Sequence, residues 1–254
     1  MIVAHGVSDT GRVRKTNEDR FISDPELRLF AVADGMGGHR AGEVASELAV
    51  EAVTTFITLS VSDTDVTWPY GVDPKLSFDG NRLRTAIHLA NRRVLRAAEV
   101  TDDYAGMGTT FVGVLVNGSQ VSIGSVGDSR IYLFANGKLE QLTTDDSWAA
   151  TILAHDPSLG PEEIAHHPMR NVLTNVLGAR EAVDVHLSER TLNPGEMLVL
   201  CSDGVHGVLP PATLQQVLSE TSDVARAAQA LVTRALDLGS RDNATALVLR
   251  YEAD

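Results

Sequence analysis

The chain is short of several things, and each shortage removes a class of protein. It has a single cysteine, Cys201, so no intramolecular disulfide framework holds it together. That thiol lies in the apolar run 196–202, where a small core residue is expected rather than a nucleophile. Bases are outnumbered, 21 against 34 acids, for a formal net charge of −13. A nucleic acid or an anionic membrane surface wants a basic face, so neither is expected as a partner. No apolar stretch approaches the roughly 18 residues needed to span a bilayer. Met1-Ile-Val-Ala-His5 lacks the basic and long apolar segments of a secretion signal, so a cytoplasmic setting is expected. Nor does any Pro/Ser-rich linker, low-complexity run or repeat of solenoid period divide the chain. With 254 residues, 43% of them hydrophobic, one domain over 1–254 is expected.

What stands out instead is Phe30-Ala-Val-Ala-Asp34-Gly35-Met36-Gly37-Gly38-His39-Arg40-Ala41-Gly42-Glu43. Residues 29–33 read as a short buried strand, and from Ala41 the apolar positions follow one helical face. Asp34 therefore closes a rigid element, and glycines let backbone crowd it because they lack a Cβ. A dinucleotide-binding turn needs a third glycine where Arg40 stands, and no carboxylate where Asp34 stands. A lone Asp-Gly is an ordinary turn, while a metal ligand at a strand end is the sharper alternative. A second copy favours the latter: Glu196-Met-Leu-Val-Leu-Cys-Ser-Asp203-Gly204 is again an apolar strand ending in Asp-Gly. A further acid, Asp242, sits just before the closing apolar run 244–251, and Arg14-Lys-Thr-Asn17-Glu18-Asp19 places a cation ahead of two acids.

Between these motifs, strands are expected at 2–7, 19–23 and 28–33, and helices at 41–58 and 80–98. Residues 60–78, with Pro69 and Pro74, read as a surface excursion. Asn117-Gly118 and Asn136-Gly137 each sit between apolar runs and signal tight hairpins, because Asn-Gly supplies the positive φ angles of a type I′ turn. Pro157, Pro161 and Pro168 break 145–178 into short pieces. Strands at 184–191 and 196–202, helices at 211–219 and 223–237, and a last strand at 244–251 complete the order. Antiparallel meanders with helices arriving in pairs make an α+β chain.

Together with Gly106-Met-Gly-Thr-Thr110 and Gly127-Asp-Ser-Arg130, these segments resemble the PP2C-type metal-dependent serine/threonine protein phosphatases in their compact bacterial form. The motifs come in that family's order from about residue 6 to residue 250. The resemblance implies a four-layer α-β-β-α sandwich of two antiparallel sheets flanked by helices. It also implies hydrolysis of phosphoserine and phosphothreonine by a hydroxide bridging two Mn²⁺ or Mg²⁺ ions. Asp34 would bridge both ions, the Gly35 carbonyl would bind the second, and Asp203 and Asp242 would complete the first. Glu18 would hold the second ion's waters with Asp19 behind it, and Arg14 would grip the phosphate. Asp103 matches the acid of a looser third ion, and Asp128 a structural hydrogen-bonding position in a hairpin strand. The family usually carries a further acid where Gly207 stands, which implies weak occupancy of that third site. Met36 occupies the place of the animal-type general acid, so His39 is the nearest candidate proton donor, with a helix-capping or phosphate-approach role as the alternative. The segment 145–170 falls at the family's flap. Phosphorylated proteins and a cognate Ser/Thr kinase are the implied partners. A non-catalytic phosphoprotein-binding relative and another metal-dependent phosphoester hydrolase are the rivals, and the presence of Asp34, Asp203 and Asp242 weighs against the first.

Overall fold

A computed structural model of the chain describes residues 1–38, 41–62, 68–156, 164 and 167–253. Its architecture follows from strands that alternate between two apolar faces. β3 (Leu29–Met36) sends Leu29, Ala31 and Ala33 to one side and Phe30 and Val32 to the other, and all five are buried. β10 (Met197–Cys201) and β11 (Ala244–Tyr251) split the same way. A strand buried on both faces reads as a continuous apolar run, which is why these segments show little alternation in sequence.

One sheet runs β1 (Ile2–Asp9), β11, β10, β7 (Arg130–Ala135), β8 (Lys138–Gln141). The other runs β2 (Asp19–Asp24), β3, β5 (Phe111–Asn117), β6 (Gln120–Val126), β9 (His186–Thr191), with the two-residue β4 (Gly108–Thr109) also paired to β3. Every strand pair is antiparallel, as the two Asn-Gly turns require. Phe30, Val32, Val112, Val114, Ile131, Leu198, Leu200 and Leu247 fill the layer between the sheets. Helices α1 (Ala41–Ser62) and α2 (Phe78–Val100) cover the β3 sheet, and α4 (Pro211–Glu220) and α5 (Val224–Asp237) cover the other. The short α3 (Trp148–His155) begins the 145–170 segment. Four layers therefore enclose three apolar interfaces, the sandwich implied by the resemblance.

Some boundaries move. α1 and α2 each run past the expected ends, α2 starting at a Ser77 cap whose Oγ accepts from Gly80 N at 3.0 Å. The stretch Ala41–Val61 is, by length and composition, long and apolar enough to cross a membrane, contrary to expectation. Its apolar face is spent inside the protein: Ala45, Ala49, Val53 and Ile57 are fully buried against the β3 sheet and α2. Asp34 lies within β3 rather than at its end, because Gly35 and Met36 continue the strand by pairing with β4. Asp128 sits in the bend between β6 and β7, not in a strand.

The inter-sheet layer carries the packing energy that holds the two sheets in register. Leu200, fully buried there, is expected to cost about 2–5 kcal/mol of stability when changed to Ala. Urea unfolding measures this, and a loss below about 1 kcal/mol would mean that the sheets close over the gap.

Candidate metal centre

Along each central strand the inter-sheet face is apolar until one end, where it turns polar. The β3 series is Phe30, Val32, Asp34; after β10 it is Leu198, Leu200, Ser202; on β11 it is Leu249, Leu247, Thr245. β5 is preceded by Thr110, β7 by Ser129, and β2 begins at Asp19. A side-chain period of two delivers all of these to the same face. The dry core thus ends in a polar floor on which the acids stand.

That floor is tightly wired. Asp19 is directly opposite Asp34 in the β2–β3 register. It is 2% exposed, and its Oδ2 accepts from Ser202 Oγ at 2.8 Å and Thr245 Oγ1 at 2.7 Å, tying one sheet to the other. The Gly106–Thr110 motif grips the Asp34 backbone. Asp34 O accepts from Thr110 N at 2.9 Å and Thr109 Oγ1 at 2.9 Å, while Asp34 N donates to Thr110 Oγ1 at 3.1 Å. Thr110 Oγ1 is in turn 2.7 Å from Ser129 Oγ, so the Gly127–Arg130 motif joins the same network. Asn243 closes the other side, accepting from Glu18 N at 2.8 Å and donating to Thr10 O and Thr16 O at 2.9 Å.

Both Asp-Gly pairs have a steric reason. A Cβ on Gly35 would lie 2.0 Å from Gly42 O and 2.8 Å from Glu18 O; one on Gly204 would lie 1.8 Å from Asn243 O. Each glycine lets a second backbone segment press against the strand that carries the acid. The first brings Glu18 beside Asp34, and the second brings Asp242 beside Asp203.

The acids so assembled repel one another in a poorly solvated place. Asp34 is held well above the usual carboxylate range, first by burial and then by Asp19, Asp203, Asp128 and Asp242. Burial and then the charge of Asp242 raise Asp203 as well. Burial pushes Asp19 up to about 6 and Asp128 up to about 7. Glu18 is raised too, by burial against the pull of Arg14. Arg14 stands at the rim, its Nη2 donating to Asp242 Oδ2 at 2.6 Å. Asp19 Oδ1 and Asp203 Oδ1 are sealed from solvent without a partner among the described residues. Buried acceptors without donors, in a group of acids with too few cations, fit a site for hard divalent ions. Among the described residues no three of these side chains stand around one point as a finished cage. Hard ions complete such sites with carbonyl and water oxygens.

The expected site residues Arg14, Glu18, Asp19, Asp34, Gly35, Asp203 and Asp242 thus lie together. Asp103 does not join them. It sits in a single 3₁₀ turn (Asp102–Tyr104) and lines a separate cavity of about 810 Å³ with Gly38, Glu43 and Glu47. Besides Asp145, which is paired with Arg130, the acid that shares a cavity with Asp203 is Asp128. Its motif was legible in sequence; its partner was not, because a bend of the chain rather than spacing aims it there. His39 lies outside the described residues.

A four-layer sandwich that gathers carboxylates at one end of its inter-sheet core, with an arginine at the rim, is the build of a metal-dependent phosphatase. The family model for protein phosphatase 2C matches residues 12–238. The chain is 34% identical over 253 residues to the serine/threonine phosphatase Stp of Listeria monocytogenes, covering 96% of this chain and 94% of that one. It overlays the crystal structure of the Mycobacterium tuberculosis serine/threonine phosphatase PstP/Ppp with a TM-score of 0.84 at 34% identity, covering 99% of each. A structure of the PstP catalytic domain in complex with two manganese ions gives 0.81 at 34% identity, again over 99% of each. The chain belongs to the protein phosphatase 2C family and is, by class, a protein phosphatase.

The raised carboxylates give a pH dependence of defined sign. A folded pKa above the unfolded value means that the folded state keeps its proton where the unfolded chain has lost it. The stability so linked is complete below the ordinary Asp value of 3.8 and is lost as pH climbs through about 6 for Asp19 and about 7 for Asp128. With chelator present, the melting temperature is therefore expected to fall across that window, and saturating Mn²⁺ to remove the fall. A chelated protein whose melting temperature is flat or rising there would rule out the crowded-acid account.

Proposed function

We propose that this chain hydrolyses phosphoserine and phosphothreonine in proteins at a two-ion Mn²⁺ or Mg²⁺ centre, within one domain spanning 1–254. The observation that carries this reading is the meeting of Asp34, Asp203 and Asp242, from three separate segments of the chain, at one under-neutralised place. When bound, the ions neutralise the phosphate and lower the pKa of water enough for direct attack on phosphorus, with no phosphoenzyme. Asp34 is assigned to both ions, Asp203 and Asp242 to the first, and the Gly35 carbonyl to the second. Glu18 would hold the second ion's waters, and Asp19 supports the floor beneath through Ser202 and Thr245. Arg14 presents a planar fork of donors at the rim and is assigned to the substrate phosphate. His39 is assigned to protonate the leaving serine or threonine oxygen.

A weaker third ion is assigned to Asp128 and Asp203 in place of Asp103, since these two share one cavity. The missing family acid at 207 has a local reason. Gly207 has an ordinary φ of −69°, but a Cβ there would stand 2.7 Å from Asp203 O, so any side chain would require the turn to open. Substrates of this kind are made by Ser/Thr kinases that use ATP. The reading therefore includes a cognate kinase and a cytoplasmic setting.

The direct test is release of phosphate from a phosphothreonine peptide with Mn²⁺ and with chelator, beside nucleotide and diester controls. Turnover of the peptide only with metal is expected; preference for a diester would overturn the reading. Asp34→Asn removes a charge that balances two dications, and kcat should fall at least about a hundredfold. Near-normal turnover in saturating Mn²⁺ would sink the two-ion assignment. Arg14→Ala should raise KM for the phosphopeptide; an unchanged KM with an altered Mn²⁺ requirement would move Arg14 to the metal shell.

A further inference from the structure

His206 is a histidine with no part in the chemistry above, and it sits where two pieces of the site meet. It ends the helical turn Asp203–His206, whose first residue is Asp203. Its Nε2 lies 2.9 Å from Asp128 O. A carbonyl only accepts, so Nε2 carries the hydrogen and donates it. Its Nδ1 is sealed from solvent with no partner among the described residues.

That is an odd choice for packing alone. A leucine would fill the place without an orphaned nitrogen, which is costly when buried. The bond it makes, however, is the direct side-chain tie between the turn bearing Asp203 and the bend bearing Asp128. The bend is anchored on its other side as well. Gly127 N donates to Asp146 Oδ2 at 3.0 Å, Asp146 N donates to Gly127 O at 2.9 Å, and Ser129 meets Thr110. Among the described residues, the His206 contact is the one hydrogen bond from this bend to the Asp203 turn. The two carboxylates line one cavity, where like charges repel.

We propose that His206 is a positioning residue that fixes the separation of Asp128 and Asp203 and so sets how tightly their side of the centre holds a divalent cation. The inference rests on the metal-dependent phosphatase reading and adds to it a residue with no direct contact to substrate. Untethered, the two carboxylates drift apart under their own repulsion, and an arriving dication must draw them back together. Tethered, that work is already done before the ion arrives. Gly207 contributes no ligand beside them, so the pair depends on placement rather than on number.

The experiment is Mn²⁺ binding followed by the EPR signal of free Mn²⁺, on wild type, His206→Leu, His206→Phe and His206→Gln. Leu and Phe remove the donor with different shapes, so a packing fault in one does not decide the result. Gln restores an N–H donor. Thermal melts of the metal-free proteins serve as the folding control. Loss of one hydrogen bond corresponds to a change of up to about tenfold in Kd. The expected result is that the weakest class of Mn²⁺ in wild type loosens by about that factor in Leu and Phe and recovers in Gln, while the tighter class is unmoved. Equal weak-class affinity in a folded Leu or Phe variant overturns the proposal. So does a parallel loss of both classes together with the melting temperature, which would make His206 a packing residue. A wild type that binds no Mn²⁺ at all would instead overturn the metal reading beneath it.

Discussion

Five aspartates gather at one end of the inter-sheet core, and their mutual repulsion, sharpened by burial, is the constraint to which the surrounding structure answers. Carboxylates in such a place either take up protons or are neutralised by cations. Here Arg14 covers one flank through Asp242, and Arg130, paired with Asp145 at 2.7 Å, stands on another. Both are paired with other acids, while burial and the neighbouring carboxylates raise Asp34 and Asp203. A divalent cation is the chemical answer to that arrangement, and phosphoester hydrolysis is a use for the cation once held.

The scaffold works to keep the acids from moving apart. Asp34 is fastened through its backbone by Thr109 and Thr110, not through its carboxylate, which leaves the oxygens free for ligands. Asp19 does the reverse: it uses one carboxylate oxygen as a strut between the sheets. Asn243 spends its side-chain amide on the backbone of the segment carrying Arg14 and Glu18. The Gly-Met-Gly-Thr-Thr and Gly-Asp-Ser-Arg motifs therefore act chiefly as supports for the acid-bearing strands, apart from Asp128 itself. Supports of this kind raise stability at the floor while the acids above lower it.

The same logic explains which site residues were legible in sequence. Asp34 and Asp203 stand out in sequence because each ends an apolar run and precedes a glycine, a local pattern with a steric cause visible in one stretch of chain. Asp242, Glu18 and Arg14 came with the order of motifs rather than with any local pattern. Asp103 was misplaced because nearness in sequence to Gly106 says nothing of direction. The 3₁₀ turn after α2 leaves it facing a cavity beside Gly38 and Glu43. Asp128 was undervalued for the converse reason: it is drawn to Asp203 by a bend whose anchors, Asp146 and His206, lie 18 and 78 residues away.

By itself, then, the sequence determined the strands and helices, the antiparallel hairpins, the family and the acids at the two Asp-Gly strand ends. Those follow from periods of two and 3.6, from turn chemistry and from spaced motifs, all of which act over a few residues or survive as a linear order. Only the tertiary structure decided that the inter-sheet face turns polar at the same end of the central strands, that α1 spends its apolar length on a core, and that Asp128 rather than Asp103 joins Asp203. Each of these depends on which strand lies beside which and at what register. That is settled by burying three apolar interfaces at once, a condition on the whole chain that no single stretch of it carries.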